Sequence, residues 1–392
     1  MCRMPVDQNT CCVCGSSELE VLFKARGIGF TLAQSPNDLT STSATLCKAC
    51  SHVQTPPLED IAAYYDTGYQ FQLSNPEEDD IYAVLQDGTC VYRSQHQAAS
   101  VAKLHDLSPG SKVLDYGCGK ARSLAMLTEA ESAIAPYAFD VSDIYVPLWD
   151  QFVPKANQSS YSVPEAWHGK MDLALSFFAL EHTADPRGFV REMAQLVRPG
   201  GKVHVVIPNM YRNISDLVVI DHAQHFSVPS LRYLFEAAGY TDVAIHDSIH
   251  RAAFIVVATR PAEMQEVDVR VSEDIAPVIQ AARDVADTWA DIAQRITAFE
   301  DDHAEATAVI YGSGVYGMFV ASTLKDLSRV EAFLDANPYR QGRELMGVPI
   351  LAPDQVPADA TVVYVGLNPK DSRGIIEGVA QLHSTPRDFL FL

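Results

Sequence analysis

The stretch Val113-Leu-Asp-Tyr-Gly-Cys-Gly-Lys-Ala121 constrains this chain more than any other. A β-prone run ends in an acid, two glycines follow, and a helical pattern begins near Arg122. That order reads as strand, tight turn and helix. Gly117 and Gly119 have no Cβ, so the backbone there can pass close to a bound group. A helix starting just after the turn aims its unpaired amide N–H groups at an anion.

From Lys112 onward the pattern alternates. Strands are expected at Lys112–Tyr116, Ala135–Asp140, Met171–Phe177 and Lys202–Pro208, with helices at Arg122–Glu131 and Arg187–Val197. This spacing predicts an α/β domain with a parallel, doubly wound sheet. Such sheets bind ligands beyond the carboxyl ends of their strands. The residues there are Asp115, Asp140, Phe177–His182 and Pro208–Tyr211. Ser227–Gly239 reads as a helix with its stop, and Ala253–Thr259 as the closing strand.

Units flank this domain on both sides. Cys11-Cys-Val-Cys14-Gly and Cys47-Lys-Ala-Cys50 are two CxxC knuckles, and six of the eight cysteines lie in the first 50 residues. Paired knuckles without a signal peptide argue for a metal rather than for disulfides. Cys11, Cys14, Cys47 and Cys50 suit a tetrahedral, structural Zn²⁺ site, with Cys12 and His52 as competing ligands. Glu20–Phe23 and Ser43–Leu46 read as short strands, Asp60–Tyr65 as a helix stopped at Gly68, Asn75–Asp80 as an acidic turn, and Val91–Leu107 as a helix. Ser272–Ala304 is a long amphipathic helix, capped by Ser272, with an apolar stripe through Ile275, Ile279, Ala282, Val285, Trp289, Ile292, Ile296 and Phe299. It connects to a third, short Rossmann-like unit: strand, Gly312-Ser-Gly-Val-Tyr-Gly317, helix, strand Val330–Asp335, strand Thr361–Gly366 and helix Asp371–Gln381. The GxGxxG there fits either a nucleotide-binding turn or a tight structural one. The expected units are 1–75, 76–262, the helical connector 263–304, and 305–392.

The charge of −21, from 29 basic and 50 acidic residues, argues against a nucleic-acid adaptor or an anionic membrane surface as partner. No apolar run is long enough to span a membrane and the N-terminus has no apolar signal core, so a cytoplasmic monomer or homodimer is expected.

Val113–Ala121, Phe139-Asp-Val-Ser142, Met171–His182 and Leu196–Gly201 resemble the successive motifs of class I S-adenosylmethionine methyltransferases. The CxxC module and the third unit, with Phe333–Gly342 and Gly347–Ile350, resemble the outer domains of tripartite sugar C-methyltransferases. Those enzymes methylate ketosugars carried on a nucleoside diphosphate, and their third domain helps hold the substrate. The resemblance implies S-adenosylmethionine at Asp115, Gly117, Gly119, Asp140, Val141 and Phe177. The methionine part would lie over the glycines, the ribose hydroxyls on Asp140, and adenine near Val141 and the loop Tyr161–Trp167. It places the family's Glu-His pair at Asp221-His222, four residues before Phe226-Ser227, which makes His222 the expected base. His225 and then His182 follow, and Glu181 is expected to support the cofactor loop or cap the helix at Asp185. Arg251, Arg340, Arg343 and Lys370 could supply charge for a nucleotide substrate. The chain departs from the family at Ala121 (a third glycine), Val219 (a tyrosine) and His250-Arg-Ala-Ala253 (His-Gly-Gly). These departures keep open an O- or N-methyltransferase acting on another small metabolite. A NAD- or nucleotide-binding module at Gly312–Gly317 is a further alternative.

Overall fold

The computed structural model describes residues 9–26, 41–57, 79–130, 134–265, 267–271 and 274–392. The expected helix at Asp60–Tyr65, its stop at Gly68, most of the acidic turn 75–80 and the Ser272 cap lie outside the described residues.

The central sheet has seven strands, in the order Thr241–His250, Ala253–Thr259, Val197–Pro208, Met171–Phe177, Lys112–Tyr116, Ala135–Asp140, Gln158–Ser160. All run one way except Ala253–Thr259, which is antiparallel to both neighbours. The expectation of a parallel sheet is therefore corrected at one strand. The link His250–Ala253 holds only two intervening residues, and a connection that short can join only antiparallel strands. Thr241–His250 and Gln158–Ser160 were not foreseen; both lie at the sheet's margins, where half-exposed residues blur the apolar pattern.

Helix Arg122–Ala130 follows the first turn, and Pro186–Leu196 is capped by Asp185, whose Oδ1 accepts from the Gly188 amide at 2.9 Å. Ahead of them the expected helix Val91–Leu107 is shorter, Arg93–Leu104, because Cys90–Tyr92 pairs with Ile81–Val84 as a hairpin.

The N-terminal sheet contains Leu19–Arg26, Ser41–Cys47 and Val53–Gln54, and its fourth strand is Gln224–His225 from the central domain. The C-terminal unit is a six-stranded sheet in the order Glu344–Leu345, Val348–Leu351, Val330–Leu334, Ala308–Tyr311, Val362–Val365, Asp388–Phe391. The first two form a hairpin over Met346-Gly347, both with positive φ, as a primed two-residue turn requires. The last helix is Ser372–Glu377, shorter than expected, with a 3₁₀ turn at Ala380–His383.

The connecting helix is Ala276–Asp302, 27 residues long. Its stripe does not await a second copy. Ala282, Val285, Ala286, Trp289, Ile292 and Ile296 lie in one cluster with Phe23, Leu46 and Val53 of the first unit. The same cluster contains Met210, Leu217 and Val218 of the second unit and Ile310, Met318 and Phe319 of the third. Trp289 is fully buried there; its ring lies 4.4 Å from Phe319, and its indole N–H donates to the Ile214 carbonyl at 2.8 Å. Arg283 adds a salt bridge to Glu20 at 2.8 Å. Since this ring belongs to the core shared by all units, Trp289→Ala is expected to cost about 3–5 kcal/mol. Urea unfolding followed by circular dichroism should show that loss as a lowered midpoint.

Candidate active site and metal centre

Two turns and one loop meet the carboxyl ends of the central strands. Strand Lys112–Tyr116 delivers Asp115, fully enclosed, with its Oδ1 lacking any hydrogen-bond partner. Burial and the nearby Asp140 charge push the Asp115 carboxyl up to about 8. Strand Ala135–Asp140 delivers Asp140, whose Oδ2 accepts from the Gly119 amide at 2.7 Å and whose Oδ1 accepts from Ser142 at 3.2 Å. Burial raises its carboxyl, and these backbone donors oppose the shift.

Gly117 and Gly119 both have positive φ. A Cβ on Gly117 would stand 2.9 Å from the Ala179 methyl, whereas one on Gly119 would meet only the Tyr145 ring, at 3.9 Å. Gly119 thus faces open space in front of Asp140. Ala121 also has positive φ, +53°, and its methyl is buried with Leu124 and Trp149 rather than aimed at that space. The missing third glycine therefore costs about 1 kcal/mol of backbone strain and leaves the ligand face clear.

Val141 stands exposed beside Asp140, and Tyr161, also exposed, follows Ser160 with its amide on the Asp140 carbonyl at 2.9 Å. Trp167 is different: it is buried edge-on against Tyr137, so only the start of the loop Tyr161–Trp167 is open to a base. Phe177 is half-buried and packs against two core clusters.

The second group of residues surrounds a carboxylate that the sequence reading did not single out. Asp216, on the 3₁₀ turn Ile214–Val218, accepts from His222 Nδ1 at 2.6 Å and from His225 Nδ1 at 2.9 Å. Burial would raise Asp216, but the charges and hydrogen bonds of His225 and His222 hold it well below the usual carboxylate range. Burial lowers His222, yet Asp216, helped by Asp221 and Glu181, carries it up to about 9 and makes it a stronger proton acceptor than a free imidazole. Its side chain keeps 17% exposure, while His225 is wholly buried.

Asp221 and His222 do not pair with each other. Asp221 supports His182 instead, whose Nδ1 donates to the Asp221 carbonyl at 2.9 Å. Burial lowers His182. Glu181 does not cap the helix at Asp185: both its carboxylate oxygens are buried without a hydrogen-bond partner, and burial pushes the group up to about 8. No spacing rule links residue 216 to 222 and 225, because the chain folds back through a turn between them.

In the N-terminal unit Cys11, Cys14, Cys47 and Cys50 come together, with Sγ···Sγ separations of 3.7 Å (Cys11–Cys50) and 3.5 Å (Cys14–Cys47). Four thiolates about 2.3 Å from a tetrahedral zinc would be about 3.8 Å apart, so this group could hold one. Cys12 and His52 are not part of it. Cys12 Sγ donates to Gln224 Oε1 at 2.9 Å, burial pushes that thiol up to about 12, and His52 Nε2 meets the same oxygen at 2.8 Å.

In the third unit Gly312, Gly317 and Gly366 interlock: a Cβ on Gly317 would lie 1.8 Å from the Gly312 carbonyl, and one on Gly366 2.4 Å from the Gly317 Cα. Those glycines serve packing. Asp335 is bonded to the Ser313 amide at 2.9 Å and stands 3.5 Å from Arg340. Arg251 is not near them; it stacks over Tyr82, 5.0 Å from the ring centre.

Residues 92–245 match the family model of a methyltransferase domain, and this segment contains most of the Rossmann-like central sheet. The ubiquinone biosynthesis O-methyltransferase of Cupriavidus pinatubonensis is 30% identical over 129 residues, 28% of this chain and 51% of that protein. The Escherichia coli O127:H6 enzyme of the same name is 32% identical over 101 residues, 24% of this chain and 41% of its own. Human N-acetylserotonin methyltransferase, solved with S-adenosylmethionine, is 16% identical with a TM-score of 0.35, over 42% of this chain and 52% of that one. The chain therefore spans about half the length, or less, of the curated relatives it matches.

Because Asp216 is a buried anion holding two imidazoles, Asp216→Asn is expected to cost about 3 kcal/mol of stability. A shift in the urea midpoint tests this, and an unchanged midpoint would show that the histidines are held without it.

Proposed function

We propose that the chain is an S-adenosylmethionine-dependent methyltransferase acting on carbon of a nucleotide-linked ketosugar, with His222 as the base. The observation that carries the reading is that two preorganised groups both lie on segments following the carboxyl ends of central strands: the Gly119–Asp140 turn and the Asp216–His222 pair. The residues fit the cofactor. Asp115 offers an orphaned buried acceptor suited to an ammonium group, and Asp140 is a carboxylate whose remaining lone pairs suit two ribose hydroxyls. When bound, S-adenosylmethionine supplies a methyl group activated on a sulfonium.

This chain's part is alignment and proton removal. Asp216 takes the His222 Nδ1–H, so in the deprotonated form of the ring, which gains population as pH rises toward about 9, the lone pair sits on Nε2. That nitrogen receives the acceptor's proton, and the carboxylate behind it stabilises the imidazolium. A zinc held by Cys11, Cys14, Cys47 and Cys50 would have four protein ligands and no open position, which would make its role structural. The ketosugar class rests on the resemblance of the outer units. A second reading, O-methylation of a small metabolite, is favoured by the ubiquinone O-methyltransferase relatives and would use the same His222 to deprotonate a hydroxyl.

Asp140→Ala should weaken S-adenosylmethionine by about 3 kcal/mol, roughly a hundredfold in Kd by calorimetry. An unchanged Kd would remove Asp140 from the site. His222→Gln should abolish turnover while leaving that Kd within about twofold of wild type. The acceptor class is tested by incubating the protein with a panel of nucleoside-diphosphate ketosugars and assigning the product by NMR. A new C–CH₃ group supports the first reading, and an O–CH₃ group supports the second.

A further inference from the structure

Four rings meet at the carboxyl ends of two central strands. Tyr82, on the hairpin strand Ile81–Val84, stacks on His96 of helix Arg93–Leu104, with ring centres 3.8 Å apart and planes 10° from parallel. His250, the last residue of strand Thr241–His250, stands edge-on to His96 at 5.2 Å. It also lies 5.9 Å from the ring of Phe178, which follows strand Met171–Phe177. The turn after His250 is bonded to the end of strand Val197–Pro208, through the Asn209 amide on the Ala252 carbonyl at 3.0 Å. Sheets of this kind bind ligands at that end. The two imidazoles there have opposite and unanswered polarity. His250 is 5% exposed, and its Nδ1 accepts from the Ala252 amide at 3.1 Å. In the neutral ring the proton is therefore on Nε2, and that buried N–H meets no acceptor. His96 is hydrogen-bonded to the Ile249 backbone, and the nitrogen engaged is not Nε2, which is buried without a partner. Its Nδ1–H donates to that carbonyl, and Nε2 keeps the lone pair. Burial, with the charges of His96, Arg93 and Arg251, lowers His250 to about 3, and burial with the Arg251 charge lowers His96, so the neutral rings prevail. A buried donor and a buried acceptor left unpaired are each costly unless a ligand answers them.

We propose that His250 Nε2–H and His96 Nε2 form a hydroxyl-recognition site, and that the hydroxyl belongs to the methyl acceptor. A hydroxyl accepts through a lone pair and donates its proton, so it answers both nitrogens, with one oxygen or with two neighbouring ones. A carboxylate answers only His250, because it is acceptor-only and would face the His96 lone pair. Tyr82 and Phe178 supply aromatic faces beside the two nitrogens, suited to a ring-shaped ligand. Their other neighbours are guanidiniums, Arg251 over Tyr82 at 5.0 Å and Arg93 over Phe178 at 5.3 Å. Arg251 is exposed and the Arg93 side chain keeps 38% exposure, and cation–π contacts of that kind are weak, so both arms can move aside for a ligand. The hydroxyl site stands on its own geometry; its link to the acceptor rests on the methyltransferase reading.

The test uses the full chain labelled with ¹⁵N-histidine. Two-bond ¹H–¹⁵N correlations near neutral pH should show the Nε2–H tautomer for His250 and the Nδ1–H tautomer for His96. The probes are phenol and methyl β-D-glucopyranoside, each compared with its O-methylated counterpart. At least one hydroxyl probe should move both Nε2 resonances and bind about tenfold more tightly than its ether, which also tells a phenolic from a sugar hydroxyl. His250→Phe keeps a ring and removes the N–H, and should cut that preference to about twofold or less. His96→Phe should behave alike if the first variant does not fold. The opposite tautomers, no response to either probe, or an equal response to probe and ether would overturn the site, the last because water then suffices as the partner of the pair. The acceptor link is judged separately, on the substrate that the ketosugar panel identifies. There His250→Phe should raise KM about tenfold and leave kcat within about threefold. An unchanged KM with the hydroxyl preference lost sinks the link and leaves the site standing, whereas unchanged S-adenosylmethionine affinity in Asp140→Ala counts against the methyltransferase site alone.

Discussion

The backbone pairing of Val53–Gln54 with Gln224–His225 is the contact on which the rest of the molecule depends. The second knuckle, Cys47–Cys50, turns back on itself through the Ser51 amide on the Cys47 carbonyl at 2.9 Å and the Cys47 amide on the His52 carbonyl at 2.8 Å. It runs directly into the strand that holds the His222–His225 loop. Around that strand Thr55 bonds the His222 carbonyl at 2.7 Å, Gln224 bonds His52 at 2.8 Å, and the Ser51 and Ser227 hydroxyls meet at 2.8 Å. Ser227 in turn caps helix Val228–Ala237. The four-cysteine cluster thus leads into a two-residue strand that positions the loop, and the loop sets His222 and His225 at a distance where one carboxylate holds both. An ion held by the four cysteines would remove freedom from a segment far from itself in sequence.

Much of the central architecture was legible because it rests on local pattern. Val113–Tyr116 and Met171–Phe177 are apolar runs ended by an acid or a turn, and the helix stripe around Trp289 repeats at helical period over many turns. The four cysteines were legible for a chemical reason, since each knuckle brings two sulfurs together through a single tight turn. What failed was non-local. Gln224–His225 is too short to have a period, and its strand character comes entirely from the partner it meets. Asp216 resembles any acid in a polar loop until His222 and His225 fold back on it. The antiparallel direction of Ala253–Thr259 was in principle readable, since a two-residue connection excludes a parallel crossover. That reading required recognising Thr241–His250, whose largely exposed residues hide it.

Backbone strain gathers at the carboxyl ends of the central strands. Ala121, Tyr161 and Phe178, none of them glycine, all have positive φ, and each lies just beyond the carboxyl end of a central strand. Ala121 follows the Gly117–Gly119 turn itself, and Phe178 follows the neighbouring strand Met171–Phe177. Such conformations persist only where the surroundings over-determine them. Here the determinants are visible: the Ala121 methyl is enclosed by Leu124 and Trp149, and the Phe178 amide is bonded to the Val206 carbonyl at 2.9 Å.

The two glycine turns of the chain show how one local motif serves two ends. In both, an acid at the end of the next strand accepts from a turn amide: Asp140 from Gly119 at 2.7 Å, and Asp335 from Ser313 at 2.9 Å. The difference lies in what surrounds the acid. A Cβ on Gly119 would meet only the Tyr145 ring, and the donors to Asp140 are the Gly119 and Ser142 backbone amides. Asp335 also takes the Ser313 hydroxyl at 2.5 Å and has the Arg340 guanidinium 3.5 Å away, so its charge is already answered within the protein. Gly312 and Gly317 meanwhile face each other across a gap that no Cβ could enter. A carboxylate compensated by an arginine and a turn closed by backbone contact make a rigid corner, and that corner holds the helix Val315–Thr323 against Trp289. The glycine pattern alone does not distinguish a ligand turn from a packing turn; the neighbours of the acid do.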